Sequence, residues 1–217
     1  MNRKKLTFII CLLVCLLLTV MFTENVQAQS FDDLITTLEN TDEMIIKRKW
    51  FTLNNSYAIY VDKDKVGTVD GKYINITGDV FKLKDTEGQV YGSEKQIKRW
   101  NIKLNRLAQV YDENSKTVGY IGEQMINDFF RLGKTFHFYD SNKDEVGVAK
   151  QKVFRLFSEF VIEDNNGTKL YKIKQQFSLF SSTYKITVYD NSVVPVEQSI
   201  YLTCILDAIK QAEESEE

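Results

Sequence analysis

Phe160-Val-Ile-Glu-Asp-Asn-Asn-Gly-Thr-Lys-Leu-Tyr-Lys-Ile-Lys174 reads as one complete hairpin. An apolar run ends on Asp164, the turn formers Asn165-Asn166-Gly167 follow, and a second extended run begins at Leu170. Short Asp and Asn side chains hydrogen-bond the neighbouring backbone and tolerate left-handed geometry, so they suit a chain reversal. The same shape recurs in Tyr57–Asp62, Val80–Asp85, Ala108–Asp112, Phe136–Asp140 and Tyr184–Asp190. The six closing aspartates are 23, 27, 28, 24 and 26 residues apart. Such self-similarity is the signature of a repeat architecture.

A shorter second turn separates successive Asp turns: Gly133-Lys134-Thr135, Ser158-Glu159 and Ser181-Ser182-Thr183. Each period of about 25 residues therefore carries two strands and two turns, the spacing of a meander. Six periods predict roughly twelve antiparallel strands. That is the upper end for an open sheet, and closing it into a barrel removes the exposed edges. The fold class is thus mainly β, a closed barrel of two-strand repeats.

The end of the chain breaks the pattern. Ser199–Ile209 is apolar around nearly its whole circumference, with Pro195 before it and the charged stretch from Lys210 after it. These limits predict a helix over 199–210. A helix apolar on all sides must be buried, and this one is too short to span a membrane. The barrel lumen is the economical place for it.

At the other end, Arg3, Lys4 and Lys5 precede an apolar run from Leu6 to Phe22, and small residues stand at Val26 and Ala28. This is the layout of a secretory signal peptide cleaved after Ala28, with an uncleaved anchor as the second reading. Both place the rest of the chain outside the cytoplasm, secreted or on the cell surface. The expected organisation is a signal segment over 1–28, a helical segment within 29–43, the barrel domain over 44–213 and an acidic tail over 214–217.

The full chain has 28 Lys and Arg against 30 Asp and Glu; without residues 1–28 the balance is 25 to 29, a net charge of −4. That argues against nucleic acid as a partner. Only Cys204 lies beyond the signal segment, which excludes an internal disulfide and a cysteine-based zinc site. Its neighbours Leu202, Ile205 and Leu206 suggest a buried, unreactive thiol.

The repeats in Lys150-Gln-Lys-Val-Phe-Arg-Leu-Phe-Ser-Glu-Phe-Val-Ile-Glu-Asp-Asn-Asn-Gly167 and Lys174-Gln-Gln-Phe-Ser-Leu-Phe-Ser-Ser-Thr-Tyr184 resemble those of the LURP-one-related proteins. That family belongs to the tubby C-terminal-like group, which includes the phospholipid scramblases. The resemblance spans about Leu107 to Lys210 and implies a twelve-stranded barrel around a central apolar helix. It does not carry over tubby's basic phosphoinositide ligands, which have no matching positions here. Nor does it carry over the scramblase branch's cysteine-rich and proline-rich segments, which the sequence lacks.

Asp140-Ser-Asn142-Lys-Asp144 alternates oxygen ligands as a calcium loop does, but Glu145 replaces the sixth-position glycine and Gln151 the closing glutamate. The same Asp and Asn enrichment marks every turn, so hairpin geometry explains it and no cofactor or metal is expected. His137 is the only histidine, and alternation places it on the face opposite Phe136 and Phe138. No Gly-x-Ser-x-Gly elbow accompanies it, and no enzyme activity or small-molecule substrate is expected. Asn54, Asn75 and Asn166 open glycosylation sequons.

One surface feature stands out. Lys47-Arg48-Lys49-Trp50 and Lys98-Arg99-Trp100 are near-copies, each followed by a leucine, Leu53 or Leu104. Tryptophan favours membrane interfaces, and lysine and arginine are drawn to anionic lipid. The competing arrangement buries both tryptophans in the core with the charges outward. The expectation is an exported, non-catalytic module binding an anionic membrane surface or a cell-surface protein through its wall. A scramblase-like or hydrolytic activity is the alternative.

Overall fold

The Asp-closed hairpins form where the repeat predicts them. A computed structural model of the chain describes residues 33–49, 55–71, 80–101, 103–124, 133–152, 158–178 and 181–216. The signal segment, Trp50 and the sequons at Asn54 and Asn75 lie outside the described residues. A short helix α1 (Asp33–Glu39) falls within the segment expected to be helical. The strands are β1 (Glu43–Arg48), β2 (Ser56–Val61), β3 (Asp64–Gly71), β4 (Val80–Asp85), β5 (Val90–Gln96) and β6 (Leu104–Asp112). Then come β7 (Thr117–Gln124), β8 (Thr135–Asp140), β9 (Glu145–Gln151), β10 (Glu159–Asp164), β11 (Lys169–Gln176) and β12 (Thr183–Val188), before the final helix α2 (Val196–Glu216).

Four of the turns share one geometry. The closing aspartate's Oδ1 accepts backbone N–H groups from two and four residues on: Asn114 and Lys116 at Asp112, Asn142 and Asp144 at Asp140, Asn166 and Thr168 at Asp164, Glu87 and Gln89 at Asp85. The third residue after each aspartate has positive φ: Gly88 at 93°, Ser115 at 62°, Lys143 at 73° and Gly167 at 83°. Each reversal is followed by a register shift, the mark of a bulged three-residue hairpin loop. Asp62 differs: it and Lys63 form a two-residue turn with φ of 50° and 78°, between Val61 and Asp64.

All strands pair antiparallel with their sequence neighbours, and β1 pairs with β12 to close the twelve-stranded barrel. The total matches the expectation, but the bookkeeping behind it does not. Asp190 is followed by α2 instead of a second strand, so the sixth repeat is half a repeat. The missing strand is β1, which lies before the first Asp turn and pairs Glu43 with Thr187 through Lys47 with Thr183.

Helix α2 runs through the lumen. It begins at Val196, directly after Pro195, and continues past Lys210 to Glu216, so it is longer at both ends than 199–210. The Gln, Ala and Glu residues from 211 to 214 are good helix formers and extend it beyond the buried part. Val196, Ile200, Tyr201, Leu202, Cys204, Leu206 and Ile209 are buried in one cluster with the inward residues of the strands, Phe81, Val110, Phe138, Ile162 and Ile186 among them. Leu34 and Leu38 of α1 join the same core. At Gly119 the first turn of α2 comes so close that a Cβ would collide with Gln198 Nε2.

Candidate functional site

Antiparallel alternation fixes where the two basic–tryptophan segments go. Strands β1 and β5 run in the same direction, so Lys47–Lys49 and Lys98–Trp100 leave the barrel at the same end. The Asp turns close the opposite end. Among the described residues, the connections at the first end hold six Lys or Arg (Lys49, Lys98, Arg99, Lys103, Lys134 and Lys152) and no Asp or Glu. The five hairpin loops at the other end (62–63, 86–89, 113–116, 141–144, 165–168) hold three Lys and four acidic residues. The barrel's ends are therefore electrically unlike.

The individual side chains divide into outward and inward sets. Lys47 is exposed on the outer face of β1. Lys49 is half-buried and acts on Asp70, where burial pushes the carboxyl up but is outweighed by the Ser56 hydroxyl at 2.6 Å and the Lys84 ammonium at 3.0 Å. Asp70 is consequently held below the ordinary carboxylate value.

Arg48 belongs to the interior. In β1, Met44 and Ile46 face the core, and the period of two carries Arg48 to the same side. There its Nη1 lies 3.7 Å from Oδ2 of Asp207, a fully buried residue of α2. Asp207 also accepts hydrogen bonds from the Tyr57 hydroxyl at 3.1 Å, the Tyr184 hydroxyl at 3.2 Å and Gln211 Nε2 at 2.7 Å. Burial, then the Asp207 charge, pushes both phenols well above their usual range, so they remain donors. This network ties α2 to β1, β2 and β12 and removes Arg48 from the surface set.

Trp100 enters neither the lumen nor open solvent. The connection after β5 folds back over the outer wall: Ile97 N–H donates to Leu107 O, and Arg99 Nη1 donates to Leu104 O at 2.6 Å. Trp100 packs edge-on against Tyr120 and Tyr139, with centroids 4.7 and 5.7 Å away, and Lys143 Nζ lies 5.0 Å over its ring. Leu104, Leu107, Tyr120 and Tyr139 form a second apolar cluster on that outer wall. Trp100 nonetheless keeps 39% of its surface exposed, and Lys98 and Arg99 are exposed beside it. The alternative in which Trp100 is buried in the barrel core does not hold.

Other candidates find plain settings. His137 faces outward, opposite Phe136 and Phe138, with its Nδ1 3.0 Å from Glu145 Oε1. Asp140 of the calcium-like loop spends its Oδ1 on the turn's own N–H groups, which hold its carboxyl below the ordinary value. Cys204 is fully buried, and burial, with Asp207 and Glu94 nearby, pushes its thiol well up. Asn166 lies in an exposed turn.

Sequence reasoning did not single out the lysines of β11 and β12. Lys172, Lys174 and Lys185 line a depression of about 690 Å³ on the outer wall together with Glu43, Phe177 and Tyr189. Their signal is alternation, every second residue of two neighbouring strands being lysine or polar. Comparison with protein-family models, curated proteins and solved structures finds no match to this chain.

Proposed function

We propose that the protein is an exported, non-catalytic module that docks on an anionic membrane surface through the barrel end bearing Lys47, Lys49, Lys98 and Arg99, with Trp100 on the wall adjoining it. The observation that carries this reading is the charge separation between the ends, six cationic residues and no acidic one among the described residues of one set of connections. A partly exposed tryptophan among exposed cations fits the headgroup layer, where an amphipathic ring and positive charge are both accommodated. The acidic last turn of α2 leaves through the same end and offsets part of that charge, with Glu213 pairing Lys134. The LURP-one-related resemblance is compatible with such a module and adds no catalytic residue.

The test is co-sedimentation of the chain from Gln29 onward with vesicles of phosphatidylcholine, alone or mixed with phosphatidylserine. Binding should require phosphatidylserine and weaken as salt rises. Each lysine near the surface contributes about 1 kcal/mol, so Lys47→Glu with Lys98→Glu should weaken binding at least about tenfold. Equal binding to both vesicle types would end the reading. Transfer of labelled lipid between leaflets in the same vesicles would favour the scramblase-like alternative.

A further inference from the structure

The depression between β11 and β12 calls for a partner of its own. Lys174 stands directly opposite Lys185 on β12 and Glu159 on β10, and Lys172 is next along the same outer face, opposite Thr187 and Val161. Like charges facing each other in a sheet are destabilising. Lys185 pairs with Glu43, but among the described residues neither Lys172 nor Lys174 makes an ion pair. An anion bound between them would relieve the repulsion.

The depression is also bounded by aromatics. Phe177 and Tyr189 line it and are 72% and 53% exposed. They stand just beyond the first and last rungs of the β11–β12 pairing, Gln176 with Thr183 and Tyr171 with Val188. Those rungs are five residues apart, about 17 Å at about 3.4 Å per residue. The site is thus about 17 Å long, basic along its floor and aromatic near both ends.

We infer that this trough binds a strand of acidic polysaccharide, with Lys172, Lys174 and Lys185 pairing its anionic groups and Phe177 and Tyr189 stacking on sugar faces. An extended peptide is the competing occupant of a β-wall, but it gains most of its affinity by adding to a free strand edge. This barrel is closed, and β11 and β12 are each paired on both sides. A flat bilayer does not reach into a trough. The site lies on the β11–β12 wall and reaches the membrane-docking end only at Phe177, and the inference does not depend on that end.

Binding of the chain from Gln29 onward to four polymers tests it: heparin, polygalacturonate, neutral dextran and poly-L-glutamate. Heparin or polygalacturonate should bind at low ionic strength and release as salt rises, and dextran should not bind. Lys172→Glu with Lys174→Glu should weaken that binding at least about tenfold. The same pair should leave phosphatidylserine vesicle binding unchanged, which separates this site from the barrel end. Phe177→Ala and Tyr189→Ala should each weaken glycan binding a few-fold without altering its salt dependence. Position 174 faces Lys185 on one side and Glu159 on the other, so the reversed charge trades one like-charge pair for another and the melting temperature should change little; Lys172→Gln with Lys174→Gln serves as a second variant if it falls. Polyglutamate binding as tightly as the acidic glycans, no binding to either glycan, or lysine variants that bind normally would each overturn the inference.

Discussion

At the scale of single residues, the turns set two expectations. Ser115 and Lys143 occupy the left-handed position that Gly88 and Gly167 fill in the sister turns. An L-residue pays about 1 kcal/mol or more there, so Ser115→Gly should raise stability and Gly167→Ala lower it by about that amount. Denaturant midpoints at constant slope would measure both. The second expectation concerns pH. Asp140 and Asp164 are held below the ordinary carboxylate value, first by the backbone N–H groups of Asp144 and Thr168 respectively. A carboxyl lowered in the folded state contributes stability above its unfolded pKa of about 4, and loses it as pH falls through the folded value. The melting temperature should therefore hold from neutrality to about pH 5 and decline below about pH 4. In Asp140→Asn with Asp164→Asn it should start lower and decline less. These turns were legible because an aspartate bonding its own backbone is a local event. The placement of Trp100 was not, since it depends on Tyr120 and Tyr139, which reach it only once the barrel exists.

At the scale of the element, α2 is both filler and anchor. Its apolar character was plain in the sequence, but Asp207 within it passed as incidental. The clue lay in β1, where counting by two from Met44 and Ile46 puts Arg48 inside; the run Lys47-Arg48-Lys49 concealed it by reading as one solvated block. Asp207→Ala would leave the Tyr57 and Tyr184 hydroxyls and Arg48 without their shared partner. The loss should be about 3–5 kcal/mol, the range for breaking a buried pair, read from equilibrium unfolding. Gln198 gives the opposite case. It is fully buried, with neither amide atom hydrogen-bonded. Gln198→Met keeps the volume, removes the unmet polar groups and should raise stability by about 1 kcal/mol or more. Leu202→Ala should cost about 2–5 kcal/mol as an emptied core site.

At the scale of the whole molecule, the lumen helix and the β1–β12 pairing make the barrel one cooperative body. Ending the chain after Val196 removes the core's central layer, and a domain of this size has only about 5–15 kcal/mol of net stability. The truncated chain should show no cooperative thermal transition; a retained one would mean that the barrel stands without its filler. The strand count was legible in the Asp spacing, while the half-repeat was not, because nothing local tells Asp190 that no strand follows it.

The pairing of β1 with β12 also governs when the chain can fold. Its rungs join residues near position 45 to residues near position 185, and α2 is made later still. Contacts of such long range are slow to form, since the intervening loop must first be closed. A chain emerging from its N-terminus can assemble hairpins one by one, but it exposes the unpaired edges of β1 and the newest strand until nearly every residue is present. Completion is thus deferred to the end of synthesis. A polypeptide that stays unfinished that long is well suited to being threaded through a membrane before it folds.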